Sequence, residues 1–565
     1  MPSTTYRNAQ WLFALLAAGC LPREPLPGSP PTTDTVARTT GDTASTDTGS
    51  PLLPVQEPAL FAFLDQQQDP STGLLASFVD HSALPTDFHD FLVAEHPAFV
   101  YDNALAAIAW LERGAPGDDV HAALVLDALL AVQRADGSLP DIVHAQTGVA
   151  AAGSSTGNQA WAMLALLTGW EAQARKDWLL AAEHVAAHLL DPATGLQNPV
   201  GFGGYRLHAS ATTLSTEHNL DLYPAFSRLA DALPTTAARL TVAEVREAAT
   251  RARIFAESRF DPVSGVVYAG TEPDGVQSAT LHVPLDTQTW SVLSLGREKW
   301  RAGYSWALTP APDGLLVSSK ACTMGEIVQG VSFSTADVAD VWTEGIAQAR
   351  AAARLLGDEQ QADLAARTLD QLRTSAPNTD KLGLVATCTE IDTGFGFRYF
   401  NALAVGATAW AAIAAVDANP YFPGALSDGL AAHPAAALPT VSLGPGASTE
   451  AACTGFAPCA FTVAGTSNGV VGTGRSIYLL VQPVDPAVPF YFTQVATPVT
   501  VQPTGDWVAD GQIGNAEYPA ATGDRMRVVA LVVDGAAPAA VLEVVTLDTV
   551  PGLLTTTGLL ELTLR

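Results

Sequence analysis

The chain has 565 residues, 48% of them hydrophobic, which is enough for two or more domains with one of them large. Its 57 Asp and Glu outweigh 28 Lys and Arg, for a formal net charge of −29. That balance excludes a phosphate- or nucleic-acid-binding surface and puts a strongly anionic substrate under long-range repulsion.

The first elements are an address. Arg7 supplies a weakly positive start, and Trp11 to Ala18 form an apolar run too short to span a bilayer. The run ends Leu16-Ala17-Ala18-Gly19-Cys20, which resembles a bacterial lipobox, with Ala17 where Leu is commoner. The resemblance implies removal of residues 1–19, a lipid on Cys20 as the only membrane contact and, because Leu21 rather than Asp follows, the outer membrane or cell surface. Residues 20–54 are rich in Pro, Thr, Ser, Asp and Gly and read as a disordered tether. Four further cysteines fit an oxidising compartment. Cys453 and Cys459 are near enough in sequence to close a small loop, leaving Cys322 to pair with Cys388. No spacing resembles a zinc site, and no cofactor is expected.

From residue 55 to 423 apolar segments recur at helical spacing. A turn punctuation recurs with them: Asp69-Pro-Ser-Thr-Gly-Leu74, Asp136-Gly-Ser-Leu139, Asp191-Pro-Ala-Thr-Gly-Leu196, Asp261-Pro-Val-Ser-Gly-Val266, Asp313-Gly-Leu315 and Asp380-Lys-Leu-Gly-Leu384. Asp, Pro and Gly stop a helix and turn the chain. The intervals hold two helices and two loops each. The periodicity predicts first helices over 56–68, 119–134, 174–190, 242–259, 297–308 and 359–374, and second helices over 102–112, 158–170, 217–231, 286–295, 341–356 and 402–416. The fifth first helix is the weakest, because Ser305-Trp306-Ala307 runs into Pro310. Six such hairpins bury a shared core by stacking and can close into an (α/α)6 toroid with the second helices inside.

Chemistry-bearing residues gather where the second helices start. Ser215-Thr216-Glu217-His218-Asn219-Leu220-Asp221 is the densest such run, with Ser215 or Thr216 as helix cap. Tyr101-Asp102-Asn103, Asn158-Gln159-Ala160-Trp161, Asp286-Thr287-Gln288-Thr289-Trp290 and Trp342-Thr343-Glu344-Gly345 resemble it. Each ends a long loop, so a closed ring brings all five to one end. An acidic first turn also complements a helix dipole, which is the plain structural reading of any one of them.

These runs, with Gln133-Arg134-Ala135-Asp136-Gly137-Ser138, resemble the six-hairpin glycosidases over residues 55 to about 425. The resemblance implies the toroid and an active site at the N-terminal ends of the inner helices. Glycosidic cleavage needs one carboxyl to protonate the leaving oxygen and another to activate water or attack the sugar. Asp102, Glu217, Asp286 and Glu344 are the catalytic candidates. In glucoamylase-like members the acid comes from the third hairpin's loop, which here ends in Glu217. Their base comes from the last loop, where this chain has Glu390 and Asp392; Glu344 is nevertheless preferred, because Trp342 puts a ring beside it and Gly345 lets a ligand approach. Tyr101, Trp161, Trp290, Trp342 and Tyr399 are candidates to stack on sugar rings. Asn103, Asn158, Gln159, His218, Asn219, Asp221, Gln288, Arg398 and Asn401 are candidates to bond a neutral carbohydrate.

Rival readings share the toroid. A polysaccharide lyase would use His218, Asn219, Arg398 and Tyr399, but acts on uronic acids and wants a basic cleft. A terpene cyclase would need an Asp-rich acid motif that is not present. A glycan-binding lipoprotein would keep the aromatics without needing acids at several loop ends. Past Asn419-Pro420-Tyr421-Phe422-Pro423 the helical pattern stops. Residues 424–440 read as a linker, and 441–565 as a small all-β, immunoglobulin-like sandwich. Its Phe490, Tyr491 and Trp507 fit a core more simply than a sugar site.

Overall fold

The computed structural model describes residues 57–434, apart from 152, 234–238 and 324–326, and between 440 and 564 a set of strands with residues 470 and 499–502 beside them. The export signal, the tether, Cys20, Cys453 and Phe490 lie outside the described residues.

Among the described residues thirteen α-helices form: α1 (Glu57–Gln67), α2 (Thr86–Glu95), α3 (Val100–Arg113), α4 (Asp118–Val132), α5 (Thr156–Gln173), α6 (Lys176–Leu190), α7 (Thr216–Ala232), α8 (Val242–Ser258), α9 (Asp286–Leu295), α10 (Arg301–Ala307), α11 (Thr343–Leu355), α12 (Glu359–Ser375) and α13 (Val405–Ala415). Local chemistry sets several of their ends. Ser155 and Ser215 accept the N–H of Asn158 and His218, and Thr241 with Glu244 forms a reciprocal capping box. Gly114 and Gly296 end α3 and α9 in the left-handed region. All twelve predicted helices are present. The fifth outer helix is short, a 3-10 turn (Glu298–Trp300) running into α10. Helix α2, which the sequence reading missed, lies in the first long loop, where Phe88 and Leu92 pack with Phe78, Phe400 and Ala402.

The second helices close a ring. α3 packs on α5, α5 on α7, α7 on α9, α9 on α11, α11 on α13, and α13 back on α3. The first helices lie outside, α4, α6, α8, α10 and α12 against the inner helix that precedes each and α1 against α13. The division follows from composition. Every residue of α9 and the first ten of α13 are buried, as a helix apolar or small on all faces must be. Helix α12 buries one stripe only, Ala362, Thr368, Leu369, Leu372 and Arg373. Rings fill the axis: the centroids of Trp161, Trp290 and Trp410 lie 5.6, 5.8 and 6.0 Å apart, and Tyr421 comes within 5.2 Å of Trp161.

Residues 424–434, expected as the start of a linker, instead belong to this body. Leu426 is fully buried, and His433 bonds the Leu293 carbonyl at 2.8 Å beneath Gly296. The expected Cys322–Cys388 disulfide is present, with Cα atoms 5.0 Å apart, and joins the fifth and sixth long loops.

Beyond residue 440, Cys459–Asn468 pairs with Asp506–Ile513 and Thr440–Leu443. Arg475–Pro483 pairs with Arg525–Asp534, which continues into a second, larger sheet. Both sheets contribute to one apolar core containing Phe461, Val463, Ile477, Leu479, Trp507, Val528 and Val532. Trp507 is therefore a core residue.

Candidate active site

The six long loops all enter the inner helices in the same register. An N–H at the start of each helix, from its first residue or, for α9, from the cap Leu285, bonds a carbonyl of the next loop round the ring: Val100 to Asp141, Thr156 to Leu207, Thr216 to Ala269, Leu285 to Phe333, Thr343 to Ala386 and Val405 to Ser77, at 2.8–3.1 Å. The last of these bonds closes the circle. The residue that follows each, in order Tyr101, Gly157, Glu217, Asp286, Glu344 and Gly406, lines one cavity. The two glycines are openings that neighbours fill. A Cβ on Gly157 would lie 2.6 Å from the His218 ring, and one on Gly406 would lie 2.6 Å from Asp102 Oδ1 and 3.0 Å from Glu344 Oε2. The two carboxylate oxygens can be no farther apart than those distances together.

Two residues further on, the register has a second use. Asn103 accepts the Leu75 N–H and donates to the Leu75 carbonyl. Gln159 makes the same pair of bonds to Leu139, Asn219 to Tyr205 and Gln288 to Val267. Thr408 accepts the Leu384 N–H in the sixth repeat. These four amides fasten a segment of the long loop to the inner helix in the first four repeats. Sequence reading took Asn103, Gln159, Asn219 and Gln288 for sugar-binding groups; their polar atoms are occupied by backbone, because a buried loop strand needs partners for its N–H and C=O groups.

The cavity opens at the N-terminal ends of the inner helices, with about 1110 Å³ of empty space counting the open solvent at its mouth. Its lining includes the acids Asp102, Glu217, Asp286 and Glu344, the rings of Tyr101, Trp161, Trp290, Trp342 and Tyr399, and Asn158 and His218, but no Lys or Arg among the described residues. Burial dominates the electrostatics. It raises the Asp102 carboxyl to about 7, against a lowering contact with the Ser77 hydroxyl, and Asp286 to about 7, against the Thr287 N–H. Glu344 is pushed to about 8 by burial, held back by the Tyr101 hydroxyl and pushed further by Asp102 and Asp286. Burial and then the charges of Asp286, Asp221 and Glu344 hold Glu217 well above the usual carboxyl range. Glu217 is half-buried, and its carboxyl takes no hydrogen bond from a described residue.

Three side chains, Trp410, Tyr101 and Gln348, fix Glu344. The Trp410 indole N–H donates to the Tyr101 hydroxyl at 2.7 Å, and that hydroxyl donates to Glu344 Oε1 at 2.6 Å, where the Gln348 amide also arrives at 3.2 Å. Asp221 lies behind the wall, fully buried, and accepts the Tyr421 hydroxyl at 2.9 Å. His218 faces Thr156 Oγ1 across 2.8 Å, and burial lowers its pKa to about 3, so it stays neutral. Asn158 lines the cavity, but its amide is taken up by Asp141, Ser155 and the Tyr101 N–H.

Other expected groups are elsewhere. Arg398 pairs with Glu390 at 2.5 Å on the exposed side of the sixth loop, and Asn401 bonds Thr387 and Asn378. Glu390 and Asp392, the last-loop acids, are exposed and outside the lining. The lyase set of His218, Asn219, Arg398 and Tyr399 is thus not assembled. Sequence reading missed the phenylalanines Phe78, Phe99, Phe333, Phe395 and Phe397 of the lining, together with Gly406. The run Gly394-Phe395-Gly396-Phe397 was a visible signal. Gln348, Tyr421 and the role of Trp410 carried none, since their partners lie on distant helices.

No protein-family model and no curated protein matches the chain. Among solved structures it is similar to a novel alpha-amylase from Clostridium perfringens, at 13% identity over 64% of this chain and 96% of the other, with TM-score 0.43. It is similar to a cellobiose 2-epimerase from Spirochaeta thermophila at 15% identity, 63% and 92% coverage and TM-score 0.44. A glycosidase follows at 12% identity, 64% and 95% coverage and TM-score 0.46.

Proposed function

We propose that this chain is a glycoside hydrolase that cleaves a neutral poly- or oligosaccharide by paired-carboxyl general acid/base catalysis. One observation carries the reading. Around a single aromatic-walled cavity without Lys or Arg, two acid groups are prepared for opposite tasks. Glu217 is open to the cavity and kept protonated by burial and by Asp286, Asp221 and Glu344. Glu344 receives the Tyr101 hydroxyl and the Gln348 amide, bonds that favour its charged form, and it shares its surroundings with Asp102. Two close carboxyls do not both ionise readily, so the Asp102–Glu344 pair carries one proton and one charge near neutrality.

The chemistry follows from that division. Glu217 gives its proton to the leaving oxygen as the C–O bond breaks. The charge on the Asp102–Glu344 pair activates water for attack at the anomeric carbon, or attacks there itself. Trp161, Trp290, Trp342 and Tyr399 supply apolar faces for the sugar ring. A uronic acid would be repelled and would find no cation. We place the enzyme outside the cytoplasm, held to an outer membrane by lipid on Cys20, with residues 441–565 as an immunoglobulin-like accessory domain.

The test uses the full chain freed of lipid by Cys20→Ala, beside Glu217→Gln and Glu344→Gln. Reducing-sugar release is measured over a panel of neutral and uronic-acid polysaccharides. Release from a neutral glycan that both further variants abolish is the expected result. Unsaturated products would make the protein a lyase, and activity surviving both variants would remove the site assignment.

A further inference from the structure

Hydrolysis of a glycosidic bond needs two carboxyl groups. This cavity presents four, Asp102, Glu217, Asp286 and Glu344, with Asp221 behind them. Elsewhere the same protein supplies cations to its buried acids. Glu257 sits among Arg253, Lys299 and Arg297 at 3.2–3.6 Å, and they hold its carboxyl down to about 2 despite burial. Asp118 takes Arg113 in a two-pronged pair, at 2.5 and 2.8 Å. In the cavity no such partner is present among the lining residues.

Asp286 makes the vacancy specific. It is 3% exposed, lines the cavity, and receives one bond, from the Thr287 N–H of its own helix at 2.5 Å. Its second oxygen has no partner among the described residues. After burial, Asp286 is the strongest influence on Glu217, which also lacks a partner. Beside these acids stand the rings of Trp161, Trp290 and Tyr101, with centroids 5.3 Å (Tyr101–Trp161) and 5.6 Å (Trp161–Trp290) apart. Carboxylates that share a cavity with aromatic rings are surroundings that attract an ammonium group.

We propose that the sugar unit seated in this cavity bears a free amine: an amino sugar in an otherwise neutral glycan, its ammonium held by the unpartnered oxygen of Asp286 among the aromatic rings, with Glu217 keeping its proton for the leaving group. The inference rests on the hydrolase reading for taking a sugar as the occupant. The amine's charge replaces the proton that burial keeps on Asp286, so binding releases protons while Glu217 keeps its own. The groups facing the site are Asp102, Asp221, Glu344, Tyr101, Tyr399 and Tyr421, with His218 neutral.

The test is calorimetry on the full Cys20→Ala chain at neutral pH and low salt. Glucosamine, galactosamine and mannosamine are each compared with the neutral parent sugar and the N-acetylated form, in two buffers of different ionisation enthalpy. The expected result is that at least one amine binds about tenfold more tightly than its parent and its N-acetyl form. That binding releases protons, and Asp286→Asn, or Asp286→Ser should the first variant not fold, abolishes the preference. No preference for any amine, whether by equal binding or by none, overturns the proposal, as does a preference that survives in the folded Asp286 variant. Reducing-sugar release from amine-free glycans would leave the hydrolase reading standing in that event. Amine binding without hydrolysis of any glycan would remove the hydrolase reading and keep the cation site.

Discussion

The Tyr101 hydroxyl meets Glu344 Oε1 at 2.6 Å across 243 residues of sequence, and Trp410 in turn holds that hydroxyl at 2.7 Å. Three inner helices, α3, α11 and α13, thus converge on one carboxyl. Tyr101→Phe removes a donor to the charged form of Glu344. The pH at which Glu344 ionises should rise, so the acidic limb of the pH–rate profile should move to higher pH. Loss of activity at every pH without movement of that limb would show Tyr101 acting on the sugar alone.

Glu217→Gln keeps size and polarity but cannot donate the proton. kcat should fall by roughly 10²- to 10⁴-fold, while the substrate still binds within a few-fold of wild type by calorimetry. Equal loss of binding and turnover would assign Glu217 to recognition.

Gly406→Ala inserts a methyl group 2.6 Å from Asp102 Oδ1 and 3.0 Å from Glu344 Oε2. Ala is the better helix former by ~1 kcal/mol, so the melting temperature should hold or rise. The two acid ends must move apart, and turnover should fall more than tenfold, as misplacement of catalytic groups costs about 10²-fold per ångström. Full activity in this variant would show that Asp102 and Glu344 do not act together.

Gln288→Leu leaves the Val267 N–H without its partner, while the Val267 C=O keeps the Thr287 hydroxyl. Each buried backbone group left unpaired costs ~1–3 kcal/mol, so the melting temperature should drop by several degrees in a thermal scan. A loss confined to substrate binding, with unchanged melting, would return Gln288 to the list of sugar contacts.

Stability should depend on pH through the cavity acids. Asp102 and Asp286 titrate at about 7 and Glu344 at about 8 in the folded chain, above the ordinary carboxyl range near 4. Between those limits the folded state binds more protons than the unfolded one, so stability falls as pH rises and levels off above the folded values. The melting temperature of the ligand-free protein should be higher at mildly acid than at mildly alkaline pH, and Asp286→Asn should flatten the slope. A pH-independent melting temperature over this range would mean that the acids are already charged.

The sequence by itself determined the twelve helices of the ring and how many hairpins they make, though not α2 in the first long loop. That information is local: apolar spacing over one or two turns, a Ser or Thr cap, and an Asp-Pro-Gly stop. It also placed Tyr101, Glu217, Asp286 and Glu344 at equivalent helix starts, because the loops repeat. What Asn103, Gln159, Asn219 and Gln288 do was decided only by the tertiary structure. A polar side chain at a helix start is equally suited to a ligand or to a loop strand, and closure of the ring lays the strand there first. The same closure, through Val405 and Ser77, brings Gly406 under Asp102 and Glu344 and places Trp410 against Tyr101. Those contacts span some 300 residues, and no local pattern encodes them. The charge state of the acids is likewise a tertiary property, since burial and neighbouring carboxyls, rather than residue type, set where each one titrates.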